Sequence, residues 1–188
     1  MKRKKEEYQR LLDTGEWMNG FMEPSGKDLE RCENLCFELN SLSPMQKEER
    51  HHLIKRILGK IGEHFTIHSP FHCDFGHNIE IGDNFIGNFN LTILDETFVS
   101  IGNNVFIGPN VTICTVIHAP EPEKRNAGIM RALPVTIGNN VWIAANVVIL
   151  PGIQIGDNSI IGAGSVVTKN IPMDVVAVGN PCRILRKV

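Results

Sequence analysis

The chain has 188 residues, enough for one substantial core with a smaller appendage. Its 19 basic and 21 acidic side chains leave a net charge of −2, so there is no basic surface of the kind that binds nucleic acid or anionic lipid. No apolar run reaches the roughly 18 residues of a membrane span, no secretion signal opens the chain, and five cysteines point to reduced thiols in the cytoplasm.

The first sixty residues read as helical and separate from the rest. Lys4 to Leu12 is a charged amphipathic segment broken around Gly15. Lys27 to Leu42 places Leu29, Cys32, Leu35, Cys36 and Leu39 on one stripe at spacings of three and four. Ser43-Pro44-Met45-Gln46 has the form of a capping box with proline at the first helical position. The helix after it turns Leu53, Ile54, Ile57, Leu58 and Ile61 inward and ends near Gly62. Cys32 and Cys36, four apart, suggest a metal or redox pair. With no second pair nearby, and free cysteine so often buried, packing is the expectation for both, as for Cys73, Cys114 and Cys182.

Beyond residue 62 the chain keeps a period of six. Ile137, Ile143, Ile149, Ile155, Ile161 and Val167 head unbroken units, and Ile101, Ile107 and Ile113 extend the same grid upstream. Ile81, Gly87 and Ile93 lie on a grid offset by two, so Asp95-Glu96 reads as an insertion. A period of six fits neither a helix nor an isolated strand. It is the signature of a parallel β-helix, with one strand and one corner per unit. The residues after the heads (Gly102-Asn103-Asn104, Gly138-Asn139-Asn140, Gly156-Asp157-Asn158) tolerate positive φ and suit the corners. Three units make a triangular coil, which predicts four to five coils. The division is a helical segment over 1–62 and a mainly β solenoid over 63–188. The helices would cover the open edges of its first coil.

Between Ile113 and Val135 the hexad is lost and then resumes in phase, which predicts a protruding loop near 115–134. Loops this long tend to be functional. His118 sits at its base; the other six histidines all precede Ile79. An imidazole with a pKa of about 6.5 is mostly neutral at pH 7 and suits a general base, although an ordinary exposed loop histidine fits equally. A zinc-dependent hydratase would need about three converging nitrogen or sulfur ligands. The coils offer His118 and Cys114, so no metal is expected.

NFNLTILDE (88–96), the run from Ile107 through IHAP to Pro172, and the tail VGNPCRILRK (178–187) resemble the maltose and galactoside O-acetyltransferases, which are hexapeptide-repeat acyltransferases. The N-terminal helical stretch resembles that group too. The resemblance implies a left-handed parallel β-helix and a homotrimer with active sites between subunits. It also implies acetyl transfer from acetyl-CoA to a sugar hydroxyl without a metal.

Position by position, His118 matches the family's catalytic base. Asn88, Met130, Asp74 and Glu96 match positions that contact the acceptor. Trp142, Ala145, Ala163, Thr168 and Lys169 match the track of the pantetheine and nucleotide, and Arg183 and Arg186 suit its phosphates; Trp142 could equally pack between subunits. Two departures bear on the sugar. Glu96 stands where galactoside enzymes carry aspartate, and their N-terminal substrate aspartate falls near Asn19-Gly20, where this chain has no carboxylate. Other acceptors (an antibiotic, a polysaccharide precursor, an amino sugar) and a catalytically silent trimeric module remain as alternatives.

Overall fold

The structure, a computed structural model, describes residues 2–21 and 25–188. Each six-residue unit forms a short strand and a corner, and three units close one turn of a parallel solenoid. The first face carries Lys60–Ile61, Ile79–Ile81, Val99–Ile101, Val135–Ile137 and Gln154–Ile155. The second carries Phe65–Ile67, Phe85–Gly87, Phe106–Ile107, Trp142–Ile143, Ile160–Ile161 and Val175–Val178, where Arg183–Lys187 turns back antiparallel. The third carries Phe71–Cys73, Leu91–Leu94, Thr112–Cys114, Val148–Ile149 and Val166–Val167.

Register explains why the repeat heads are β-branched. Ile113 pairs with Ile93 and Ile149, and Ile143 pairs with Ile107 and Ile161. Like residues therefore stack in columns down the axis, and the heads from Ile101 to Val167 are at most 3% exposed. Burying each such side chain contributes roughly 1.5–3 kcal/mol. A turn repeats the same contact with its neighbours above and below, so the solenoid is stable where a lone coil would not be.

The corners divide their labour differently from the sequence expectation. Gly102, Gly138 and Gly156 keep out of the left-handed region, and it is the asparagine two residues later that turns left-handed: Asn104, Asn140 and Asn158 have φ of 56°, 57° and 60°. The glycine is needed for close approach instead. A Cβ on Gly102 would lie 2.7 Å from the carbonyl oxygen of Gly138 in the next turn. The left-handed asparagines then line up. Asn84, Asn104, Asn140, Asn158 and Asp174 form a ladder of side-chain hydrogen bonds of 2.8–3.0 Å along the edge between the first and second faces.

Helix α1 spans Lys2–Thr14, α2 Ser25–Ser41 and α3 Lys47–Ile57. Helices α2 and α3 cover the first turn: Leu35, Leu39, Leu53, Ile54 and Ile57 share one core with Ile67, Phe71 and Ile79. Asn40 holds α2 to the solenoid by exchanging two 2.9 Å bonds with the backbone of Phe71. The buried guanidinium of Arg50 donates to the carbonyls of Leu39 and Ile67. The expected capping box is displaced. Ser43 to Gln46 forms a turn, closed by the Ser43 N–H donating to Gln46 Oε1 and the Gln46 N–H to the Ser43 carbonyl. The helix begins at Lys47, with no side-chain cap from Gln46.

After Thr112–Cys114 the chain leaves the solenoid. The expected loop is an antiparallel hairpin, Val116–His118 against Ile129–Ala132, with a short helix α4 (Pro122–Asn126) at its tip. Met18–Asn19 adds a third strand along Ile129–Ala132, and Tyr8, Leu12, Met18 and Ala132 form a small second core beneath. Among the described residues, no helix is long and apolar enough to cross a membrane.

Candidate active site

Strand order decides which candidate residues share an edge of the prism. The edge between the third and first faces carries Asp74 after Phe71–Cys73, and Asp95-Glu96 after Leu91–Leu94. The hairpin with His118 and Met130 follows after Thr112–Cys114, and Thr168-Lys169 after Val166–Val167. The edge between the second and third faces carries Asn88, Ala145 and Ala163. Trp142 points outward from the second face, and Arg183 and Arg186 lie on the antiparallel strand that ends that sheet.

The hairpin presents its imidazole because His118 is the last residue of its strand, directly opposite Met130. The His118 side chain is exposed while that of Met130 is buried. The Arg131 guanidinium lies 4.9 Å over the Trp17 ring and ties the N-terminal segment to the hairpin. Gly20 donates to the carbonyl of Gly128 at 2.8 Å, and a Cβ there would meet the sulfur of Met130. At this position without a carboxylate the Met130 side chain therefore occupies the space a Cβ would need.

Three carboxyl groups on this edge, those of Asp74, Asp95 and Glu96, lie close enough to act on one another. Asp95 is fully buried; its Oδ1 accepts the backbone N–H groups of Asp74 (3.0 Å) and Phe75 (2.9 Å). Burial pushes Asp95 up to about 7. Glu96, half-buried, is also pushed up to about 7, first by burial and then by the charges of Asp74 and Asp95, while a hydrogen bond from the Tyr8 phenol works against the shift. Burial likewise raises Asp74. Among the described residues, Glu96 Oε2 and Asp95 Oδ2 have no hydrogen-bond partner. A carboxyl group near its midpoint both donates and accepts, which matches the dual character of a hydroxyl.

On the other edge, Asn88 Oδ1 accepts the N–H of Phe89 at 2.8 Å. The backbone of Ala145 accepts Gly164 at 2.9 Å, and Ala163 and Gly164 stand exposed. Their methyl and hydrogen side chains leave this edge open, and a Cβ on Gly164 would meet nothing within 4 Å. Two residues of the carboxyl cluster carry no clear mark in the sequence. Asp95 counted only as half of an insertion, though paired carboxylates at a break in the repeat were the available signal. Tyr8 is the chain's single tyrosine, and no local pattern linked it to Glu96.

Family models match three stretches: the bacterial transferase hexapeptide (six repeats) over 134–169, the hexapeptide repeat of succinyl-transferase over 98–117, and the maltose acetyltransferase hexapeptide capping motif over 15–62. Fold and motifs together define a hexapeptide-repeat transferase. The galactoside O-acetyltransferase of Escherichia coli is 50% identical over 158 residues, covering 84% of this chain and 78% of that protein. The structure of a galactoside acetyltransferase in complex with coenzyme A superposes with a TM-score of 0.93 at 45% identity, over 96% of this chain and 90% of that one. A maltose O-acetyltransferase from Clostridium difficile 630 gives a TM-score of 0.93 at 41% identity, over 97% of each. The chain belongs to the maltose and galactoside O-acetyltransferase family.

Proposed function

We propose that this chain is an acetyl-CoA-dependent O-acetyltransferase acting on a sugar hydroxyl, that it works as a homotrimer in the cytoplasm, and that His118 is its general base. One observation carries the reading: His118 is displayed on the same prism edge as Asp74 and Glu96, whereas Asn88, Ala145 and Ala163 belong to another edge. Residues on two edges of a prism cannot close around one substrate within a single chain. Two chains side by side can, with the edge of one facing the next. The second face supports such a contact with an outward row of Ile86, Phe106 and Trp142, which are 41%, 49% and 52% exposed. A contiguous apolar row of this kind marks an interaction surface.

In this site the neutral imidazole of His118 takes the proton of the sugar hydroxyl as its oxygen attacks the thioester carbonyl. The tetrahedral adduct then expels sulfur, and the imidazolium returns the proton to the departing thiolate. The products are an acetyl ester and free coenzyme A, with no acyl-enzyme between. Asp74, Asn88 and Glu96 exchange hydrogen bonds with the sugar, and Met130 shapes the pocket wall. Ala145 and Ala163 give the slender pantetheine room, Trp142, Thr168 and Lys169 flank the nucleotide portion, and Arg183 and Arg186 meet its phosphates in the forked geometry that suits arginine.

The test is thiol release from acetyl-CoA with maltose, glucose, isopropyl thiogalactoside and chloramphenicol as acceptors, for the wild type and His118→Ala. The expected result is sugar-dependent release that falls about 10²–10⁴-fold in the variant, the usual weight of general-base help. Equal rates would remove His118 from the chemistry. Release with chloramphenicol alone would overturn the sugar.

A further inference from the structure

The cap helix and the first turn bring together three thiols that lie far apart in sequence. Cys32 and Cys36, one helical turn apart on α2, both face Phe71–Cys73 of the third face. The sulfur of Cys73 lies 3.4 Å from that of Cys32 and 3.8 Å from that of Cys36. All three sulfur atoms fall within 4.8 Å of one another. Nothing near Cys32 and Cys36 in sequence offers a further thiol ligand; the fold supplies it in Cys73. Cys32 and Cys36 are buried and Cys73 half-buried, and all three are free thiols.

The spacing has a chemical reading. Ligands about 2.3 Å from a metal in tetrahedral array are separated from each other by about 3.8 Å. Three sulfurs at this spacing thus occupy three corners of a thiolate coordination shell. A disulfide would use two of the sulfurs and leave the third beside it without a role. Soft thiolate sets select Cu+ and Zn2+ over the harder cations. The scaffold is also rigid where it matters: one turn beyond Cys36 on α2, Asn40 is doubly hydrogen-bonded to the backbone of Phe71, two residues before Cys73.

We propose that Cys32, Cys36 and Cys73 form a trithiolate site for a thiophilic d10 cation, Cu+ or Zn2+, which clips the cap helix to the first turn. The site is structural, and it does not depend on the acetyl-transfer reading. Binding replaces thiol protons with metal–sulfur bonds and releases those protons to solvent, with no change of oxidation state.

The test uses the full chain, stripped of metal and held under a phosphine reductant without oxygen. Zn2+ is titrated against a chromophoric chelator and Cu+ against bicinchoninate, and Co2+ serves as a spectroscopic probe of the same ligands. The expected result is one equivalent per chain of at least one of the two ions, the tighter of them identifying the natural occupant. Co2+ should show a near-ultraviolet thiolate charge-transfer band, and the melting temperature should rise with free metal. Cys32→Ser and Cys36→Ser should weaken binding at least tenfold, while Cys114→Ser, outside the cluster, leaves it unchanged. The wild-type cobalt spectrum needs no variant to fold. Failure of both ions to bind with no charge-transfer band, or binding that survives Cys36→Ser undiminished, would overturn the proposal.

Discussion

The carboxylate of Asp95 sits beneath the backbone of Asp74, its Oδ1 accepting the Asp74 N–H at 3.0 Å. The buried acid therefore shapes the segment that presents the half-buried one. It is a positioning group, since its own oxygens lie wholly inside the protein.

Asp95→Ala strands the N–H groups of Asp74 and Phe75, both of which Asp95 now satisfies. Each unsatisfied buried donor costs about 1–3 kcal/mol, so the variant should lose roughly 2–6 kcal/mol. Asp95→Asn keeps an acceptor oxygen in place and should retain most of that stability. Urea unfolding midpoints of the three proteins check the order; equal losses in both variants would show that the acceptor oxygen is not what matters.

Glu96 ties stability to pH. Its folded pKa is raised from 4.5 to about 7, so the folded protein holds a proton there that the unfolded chain has already released. The contribution is full below about 4.5 and is lost as pH rises through about 7. The shift corresponds to a difference on the order of 3 kcal/mol between the two ends of that window. Glu96→Gln, which cannot ionise, should therefore gain stability relative to the wild type between pH 5 and pH 8. A wild-type-minus-variant difference that stays flat with pH would contradict this.

Asn140 combines a left-handed backbone with two rungs of the asparagine ladder. Asn140→Ala forfeits both, and the left-handed conformation alone costs a Cβ residue about 1–2 kcal/mol. Asn140→Gly forfeits only the rungs. Thermal melts should place the glycine variant between wild type and alanine; if alanine matches glycine, the backbone conformation carries no weight.

Phe106 stands at the middle of the outward apolar row, between Ile86 and Trp142. Phe106→Glu puts a charge where a neighbouring chain is expected to exclude water, and a buried unpaired charge is strongly unfavourable. Solution mass measurements should show three chains in the wild type and one in the variant. An unchanged mass would move the subunit contact to another face.

A period of six was enough to read the solenoid, because each unit meets the core with the same side chain and local pattern repeats the global shape. Ile137 through Val167 could only point inward once the period was recognised. The break that holds His118 was equally visible, since a single interruption of a regular array needs no neighbour to reveal it. The corners were read less well. Glycine and asparagine both suit positive φ, and only the stacking of turns shows that Gly102 is small to clear Gly138 while Asn104 does the turning.

By itself, then, the sequence determined the coil, its helical cap and the place where the chain leaves the repeat, all properties written in spacing along the chain. Tertiary structure decided which side chains meet. It brought Cys73 to Cys32 across 41 positions, set Tyr8 against Glu96, buried Asp95 under Asp74, and assigned the candidate residues to two different edges. The physical reason is that turn closure and the docking of the cap fix these distances, and neither leaves a periodic trace in the residues it joins.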